Sequence, residues 1–131
     1  MSVAETVETE LLKALHAAQP QAENASFVLA ARDPQGALVG GLTGTTSYGW
    51  LLVKTLWVDE TQRGQGLGRA LMDRAEERAR QARCHGAWLD TSNPDAMAFY
   101  ARLGYELFGE LANTNGQQPT GHRRWFMRKT L

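Results

Sequence analysis

Residues 62–73 read QRGQGLGRALMD, a stretch in which three closely spaced glycines follow an arginine. An apolar pattern of helical spacing begins directly after the glycines. A helix that begins in such a loop leaves several backbone N–H groups unpaired, and its dipole adds partial positive charge at the same end. Arg63 adds a full positive charge beside them. The stretch therefore predicts a phosphate-binding site, with a tight strand-to-helix turn that binds nothing as the alternative.

Two other phosphate-binding loops fit this stretch poorly. A dinucleotide fingerprint that starts at Gly64 requires glycine at position 69, where the chain has Arg69. Residues 59–62 also separate the preceding strand from the glycines, whereas the fingerprint turns directly from strand to helix. A Walker loop requires a Lys-Ser/Thr pair after its last glycine, and none follows Gly68. The ligand indicated is a pyrophosphate outside either of these frames.

Length and charge limit the classes of function. The 131 residues are enough for one domain with a buried core, so we expect a single domain over residues 1–131. Fourteen basic and fourteen acidic side chains cancel, which argues against nucleic-acid and anionic-membrane partners. The charges are uneven along the chain. Residues 1–62 carry three basic and seven acidic side chains (net −4), and residues 63–131 carry eleven and seven (net +4).

The compartment is predicted from the cysteine content and the N-terminus. Cys84 is the single cysteine, so an internal disulfide is excluded and a reducing environment is expected. The N-terminal MSVAETVETELL carries acidic residues where a signal peptide needs basic ones. The apolar runs are also too short to span a membrane. We expect a cytoplasmic protein without a bound metal ion.

Hydrophobic periodicity predicts a mixed order of helices and strands, an α/β (α+β) layer. The strand WLLVKTLWV is apolar almost throughout, which is typical of a strand in the centre of a sheet. The predicted elements are a helix at 5–18, strands at 26–33, 37–46 and 50–58, a helix at 67–83, a strand at 86–91, a helix at 94–103, and strands at 105–111 and 122–130.

Two of the predicted helices show a clear apolar face. The first places Val7, Leu11, Leu12, Leu15 and Ala18 on one side, and Pro20 is expected to end it. The second places Leu67, Leu71, Ala75, Ala79 and Ala82 on one side. An i,i+4 ion pair between Glu76 and Arg80 is expected to support the second helix.

Two motifs identify the chain with a known family. Residues 63–68, RGQGLG, resemble the R/Q-x-x-G-x-G/A signature of the GNAT superfamily of N-acetyltransferases. Residues 93–105, NPDAMAFYARLGY, resemble that family's N-x-x-A-x-x-F-Y-x-x-x-G-F/Y. The resemblance runs from about residue 26 to the end, where GHRRWFMRKTL is similar to small GNAT proteins of unassigned substrate. It implies a mixed, mostly antiparallel central sheet flanked by helices, with a shortened N-terminal region.

The resemblance also implies a ligand and roles for individual residues. Acetyl-coenzyme A would place its pyrophosphate on the backbone amides from Arg63 to Arg69, and its pantetheine arm in a gap beside the strand 50–58. Tyr100 would protonate the departing thiolate, and a strand amide near Trp57 or Val58 would stabilise the oxyanion. The residues expected to bind the coenzyme are Leu56, Trp57, Val58, Arg63, Gly64, Gln65, Gly66, Leu67, Gly68, Arg69, Asn93 and Tyr100.

The sequence offers several candidates for the general base that accepts the proton of the amine. Related small GNAT proteins often carry a carboxylate on the strand before the loop, but here Lys54 and Thr55 stand in its middle. Asp90, Glu110 and His122 are candidates, and water is the fourth. The acceptor is expected to be a small-molecule or protein amine.

Two other functions are compatible with a phosphate-binding loop. A non-catalytic acyl-coenzyme A binding or sensing module would keep the loop without the transfer, whereas a nicotinamide-binding protein is disfavoured by Arg69. The resemblance implies that one wall of the acceptor site is missing, because a single helix precedes the first strand. We therefore expect a homodimer that covers apolar surface.

Overall fold

A computed structural model describes residues 2–18 and 24–131 of the chain. All predicted helices and strands are found, and their ends differ from the predicted ones by no more than two residues. The predicted helix stop at Pro20 lies outside the described residues. The elements are α1 Val3–Ala18, β1 Ala25–Arg32, β2 Leu38–Ser47, β3 Trp50–Val58, α2 Leu67–Gln81, β4 Gly86–Thr91, α3 Pro94–Arg102, β5 Glu106–Ala112 and β6 Arg123–Thr130.

The strands form one six-stranded sheet in the order β1-β2-β3-β4-β6-β5. All neighbours are antiparallel except β3 and β4, which are parallel. The parallel pair is short, because residues 50–52 pair with residues 86–88 and the two strands then separate. The predicted mixed, mostly antiparallel sheet is confirmed, and the separation opens a gap in its centre.

The core lies between the sheet and α2. This helix packs on β2 and β3 through most of its predicted apolar face, and the small Ala75 and Ala79 are completely buried. The prediction for Ala82 was wrong: it is exposed, because the helix ends at Gln81 and Ala82 is its C-cap. Gly40 of β2 lets the first turn of α2 approach, since a Cβ there would lie 3.0 Å from Cδ2 of Leu67. The N-terminus of α2 is therefore held directly beside the end of β3. The largest fully buried apolar side chains are Leu42, Leu51, Met72, Leu89 and Met127.

Helix α1 differs from the other two helices because it contributes no buried residue. Most of its predicted apolar face is exposed, with 60% of Val7 and 55% of Leu11 accessible to solvent, whereas Leu15 is half-buried. Among the residues that the structure describes, no helix is long and apolar enough to cross a membrane.

Candidate active site

A cleft of about 430 Å³ lies between the end of β3, the glycine loop, the start of α2 and one side of α3. Ten of the twelve residues predicted to bind the coenzyme line it: Leu56, Trp57, Val58, Arg63, Gly64, Gly66, Leu67, Gly68, Arg69 and Tyr100. The other two, Gln65 and Asn93, are not among its lining residues. Four further lining residues were not predicted: Gln62, Ala96, Phe99 and Arg102.

The loop before α2 is fixed by hydrogen bonds to its own ends. The carboxylate of Asp59 accepts hydrogen bonds from the side chain and the backbone N–H of Thr61. These bonds, with that from the Thr61 hydroxyl first, lower the pKa of Asp59. Nε of Arg63 donates to the carbonyl oxygen of Val58 at 3.1 Å, which folds the loop back onto β3. The arginine is thereby held at the mouth of the cleft.

The glycines give the loop its open shape. Gly64 and Gly66 have φ angles of 77° and 82°, in the left-handed region that favours glycine. A Cβ at either residue would have no other atom within 4 Å, so the space above the loop is open. Gly66 caps α2 without any side-chain hydrogen bond, which leaves the first N–H groups of the helix free for a ligand. The loop thus has an open, glycine-rich shape at the uncapped N-terminus of α2.

The charges around the cleft all have one sign. Arg63, Arg69 and Arg102 line it, and no acidic residue among those that the structure describes does so. Gly68 brings α3 close, because a Cβ at this position would lie 3.3 Å from Cζ of Phe99. Three guanidinium groups and a helix N-terminus form a setting that favours an anionic ligand with several charges.

Tyr100 on α3 also lines the cleft and is largely buried. Its ring lies between those of Phe99 and Tyr105, with centroid distances of 5.3 and 6.0 Å. Burial raises the pKa of the Tyr100 phenol, so the hydroxyl stays protonated at neutral pH and can donate a proton. Within residues 2–18 and 24–131, no side chain or backbone group forms a hydrogen bond with this hydroxyl.

Asn93 has a structural role that the motif did not indicate. It is the N-cap of α3, and its Oδ1 accepts hydrogen bonds from the backbone N–H groups of Asp95, at 2.8 Å, and Ala96, at 3.4 Å. Substitution of an N-cap asparagine typically costs about 1 kcal/mol of stability. Asn93 therefore holds the start of α3, and with it Tyr100, against the sheet.

The three candidate bases lie away from the cleft and are already occupied. Asp90 accepts a hydrogen bond from Nε of Arg124 at 2.9 Å, and Glu110 forms an ion pair of 3.3 Å with a second arginine, Arg123. Nε2 of His122 lies 3.0 Å from the hydroxyl oxygen of Ser92. None of the three candidates lines the cleft. In the part of the chain that the structure describes, no group of acidic, histidine or cysteine side chains is arranged to hold a metal ion.

The opposite face of the sheet carries a second cavity of about 460 Å³, lined by aromatic side chains that include Trp50, Trp88 and Phe126. Trp88 pairs with Leu52 in the last pair before β3 and β4 separate. This cavity therefore lies next to the place where β3 and β4 separate, on the face of the sheet that α2 does not cover.

Comparison with known proteins agrees with the two motifs. The acetyltransferase (GNAT) family matches residues 3–105. An acetyltransferase of Agrobacterium fabrum is 44% identical over 90 residues, which cover 68% of this chain and 66% of that protein. Blasticidin-S acetyltransferase of Streptomyces morookaense is 47% identical over 74 residues, which cover 56% of this chain and 54% of that protein.

The matched part of the chain thus spans less than two thirds of each of these two relatives. The fold agrees over a longer range. The crystal structure of an acetyltransferase from Bacillus cereus has a TM-score of 0.81 and 27% identity, and the alignment covers 98% of this chain and 91% of that one. The chain belongs to the GNAT family of acetyltransferases.

Proposed function

We propose that the chain transfers an acetyl group from acetyl-coenzyme A to an amine. The observation that carries this proposal is the pairing, in one cleft, of an arginine-lined helix N-terminus with a protonated phenol, that of Tyr100. Membership of the GNAT family supports it, and so do the acetyltransferase names of the curated relatives. The arginine-lined N-terminus of α2 suits the pyrophosphate, and the Tyr100 phenol suits the leaving thiolate.

The coenzyme would bind mainly through backbone groups. The amides from Arg63 to Arg69, including that of Gln65, would hold the pyrophosphate. The pantetheine arm would lie against Leu56, Trp57 and Val58, where the edge of β3 that faces β4 has no strand partner. Because the side-chain oxygen of Asn93 caps α3, its amide N–H groups are the ones we assign to the coenzyme.

The reaction needs few specialised groups. The amine nitrogen attacks the thioester carbonyl carbon, and a backbone N–H near Trp57 or Val58 stabilises the oxyanion. When the C–S bond breaks, the electron pair goes to sulfur and Tyr100 donates a proton to it. Holding both reactants in place supplies several kcal/mol of the rate enhancement. The proton of the amine leaves through water or through Asp90, Glu110 or His122.

We place the acceptor on the aromatic cavity that adjoins the separation of β3 and β4, since the coenzyme approaches from the other face. The acceptor is a small-molecule amine or an exposed amine of a protein. The name of the Streptomyces relative makes blasticidin S a first compound to try. The zero net charge and the single buried cysteine support a cytoplasmic enzyme without nucleic-acid or membrane partners.

The binding half of the proposal has a direct test. Isothermal titration calorimetry should show that acetyl-coenzyme A and free coenzyme A bind, because both carry the pyrophosphate and the pantetheine arm that the unpaired edge of β3 would hold. NAD carries a pyrophosphate but no pantetheine arm, so it should bind much more weakly. The two coenzyme A forms should also raise the melting temperature by mass action. Binding of NAD with no response to acetyl-coenzyme A would contradict the assignment of the loop.

A second candidate function has one observation in its favour. None of the candidate bases lines the cleft, and two of them are held in ion pairs. A module that senses acyl-coenzyme A without transferring the acyl group would need no base. The protonated Tyr100 favours the enzyme, because a sensor would have no use for a proton donor beside the sulfur.

We further propose a homodimer, supported by the exposed apolar face of α1. Val3, Val7 and Leu11 are between 55% and 82% exposed, which is unfavourable for an isolated helix in water. Light scattering at high micromolar concentration should therefore give twice the chain mass of 14.5 kDa. Leu11→Glu should return the mass to that of one chain, whereas the solvent-facing control Glu8→Gln should leave it doubled. A wild-type monomer would contradict the proposal.

A further inference from the structure

Behind Tyr100 lies a buried carboxylate that the reaction described above does not use. Glu76 of α2 is only 2% exposed. One of its oxygens accepts a hydrogen bond from the hydroxyl of Tyr105 at 2.9 Å, and the other accepts one from Nζ of Lys129 at 2.7 Å. Arg80, one turn further along α2, lies 3.7 Å away. The carboxylate thus joins α2 to the residue before β5 and to β6.

The partners of Glu76 compensate the cost of burying its charge. Burying a carboxylate is unfavourable by several kcal/mol unless hydrogen bonds and opposite charges compensate it. Here both oxygens of Glu76 have a partner, and Lys129 is itself largely buried. Burial raises the pKa of Tyr105, and the charge of Glu76 raises it further, so its hydroxyl remains a donor. Apolar side chains of similar volume would fill the same space without the cost of burying a charge, so packing alone does not explain the ion pair.

Tyr105 connects this cluster to Tyr100 in two ways. The backbone N–H of Tyr105 donates to the carbonyl oxygen of Tyr100 at 3.1 Å. The two rings also meet edge to face, with a centroid distance of 6.0 Å and an angle of 65°. Tyr105 is 2% exposed, so its ring has little room to move. The position of the Tyr105 ring therefore fixes one side of the Tyr100 ring.

Gly104, the glycine of the second motif, makes room for the same cluster. Its φ angle of 97° favours glycine, and a Cβ there would lie 3.5 Å from Cε of Lys129. The Lys129 side chain thus passes over Gly104 on its way to Glu76. The last two residues of the motif therefore both contact the buried ion pair: Gly104 makes room for Lys129, and Tyr105 donates to Glu76.

We infer that Glu76 is a positioning residue for acetyl transfer: by holding Tyr105 and Lys129, it keeps the Tyr100 hydroxyl aimed at the sulfur. This inference depends on the proposed role of Tyr100. Glu76 and Tyr105 do not line the cleft, so they act through Tyr100 and not through contact with the coenzyme.

The test removes single hydroxyl or charge groups and keeps the shapes of the side chains. Tyr105→Phe and Glu76→Gln should each lower kcat by about threefold to tenfold, roughly the effect of one lost hydrogen bond. The KM for acetyl-coenzyme A should change less than twofold, because the loop and the edge of β3 are untouched. Glu77→Gln is the matched control, since Glu77 is the exposed neighbour on the same helix and forms an ion pair with Arg80 at the surface.

A double-mutant cycle separates positioning from simple stability. In a Tyr100→Phe background, Tyr105→Phe should lower kcat no further, because the hydroxyl that it positions is already gone. A further loss of the full size would overturn the inference, and so would an unchanged kcat in a folded Glu76→Gln and a folded Tyr105→Phe. If Tyr100→Phe alone leaves kcat unchanged, the proposed role of Tyr100 fails first, and that result is seen without either of the other variants.

Discussion

Gly66→Asp is expected to weaken acetyl-coenzyme A binding by about 100-fold or more while the chain stays folded. Gly66 is the N-cap of α2, and its φ of 82° and ψ of 6° lie in the left-handed region, which aspartate adopts at a moderate cost in backbone strain. The new carboxylate would lie beside the free N–H groups that we assign to the pyrophosphate, and its negative charge would repel that group. No atom lies within 4 Å of the added Cβ, so the loss does not arise from a clash with the protein.

The matched control for this variant is Gly36→Asp. Gly36 has a φ angle of 88°, close to the 82° of Gly66, and its Cβ position is equally free of neighbours. It lies in the turn between β1 and β2, outside the cleft. The two variants therefore share the backbone strain and differ in whether the charge meets the coenzyme. Calorimetry should give the control the affinity of the wild type, and equal affinities in all three proteins would contradict the loop assignment.

Tyr100→Phe is expected to lower kcat by up to about 100-fold and to leave the dissociation constant of the coenzyme nearly unchanged. Only a hydroxyl is removed, and the ring still packs between Phe99 and Tyr105. General-acid assistance is worth about 10²–10⁴-fold, and a thiol is a good leaving group, so the effect should lie at the low end of that range.

Two measurements on this variant decide among three roles of Tyr100. If the residue only packs, kcat should change by less than about threefold, because Tyr→Phe keeps the apolar volume. A loss of kcat with an equal loss of affinity would indicate that the hydroxyl binds the coenzyme.

Because burial raises the pKa of Tyr100, the wild-type acid form should persist above the ordinary phenol pKa of about 10. An alkaline loss of kcat due to this group should therefore begin above that pH.

The features that the sequence predicted well are local ones. The glycine loop, the second motif and the helices each follow from residues within one short stretch, so spacing alone indicates them. Residues 50–58 were assigned to a central strand from their apolar run, and β3 lies in the middle of the sheet. The family was predicted from the same two local patterns and is confirmed.

The features that the sequence missed depend on contacts between distant residues. Glu76 was expected only in an ion pair with Arg80, but the structure buries it, because Tyr105 and Lys129 reach it from 29 and 53 residues away. Phe99 and Arg102 line the cleft through the close approach of α3 to α2, which spacing alone does not show. The sequence offers one indication that these two residues line the cleft, since both lie close to Tyr100 on the same short helix.

The most direct test of the central claim is the release of free coenzyme A thiol over a panel of amines, with mass spectrometry of the products. The panel should include blasticidin S, smaller amines and peptides with a free N-terminus. The account predicts thiol release that requires an amine, that matches N-acetyl product mole for mole, and that falls in Tyr100→Phe. Tight binding of acetyl-coenzyme A with no amine-dependent thiol release across the panel would contradict the enzyme and favour the sensing module.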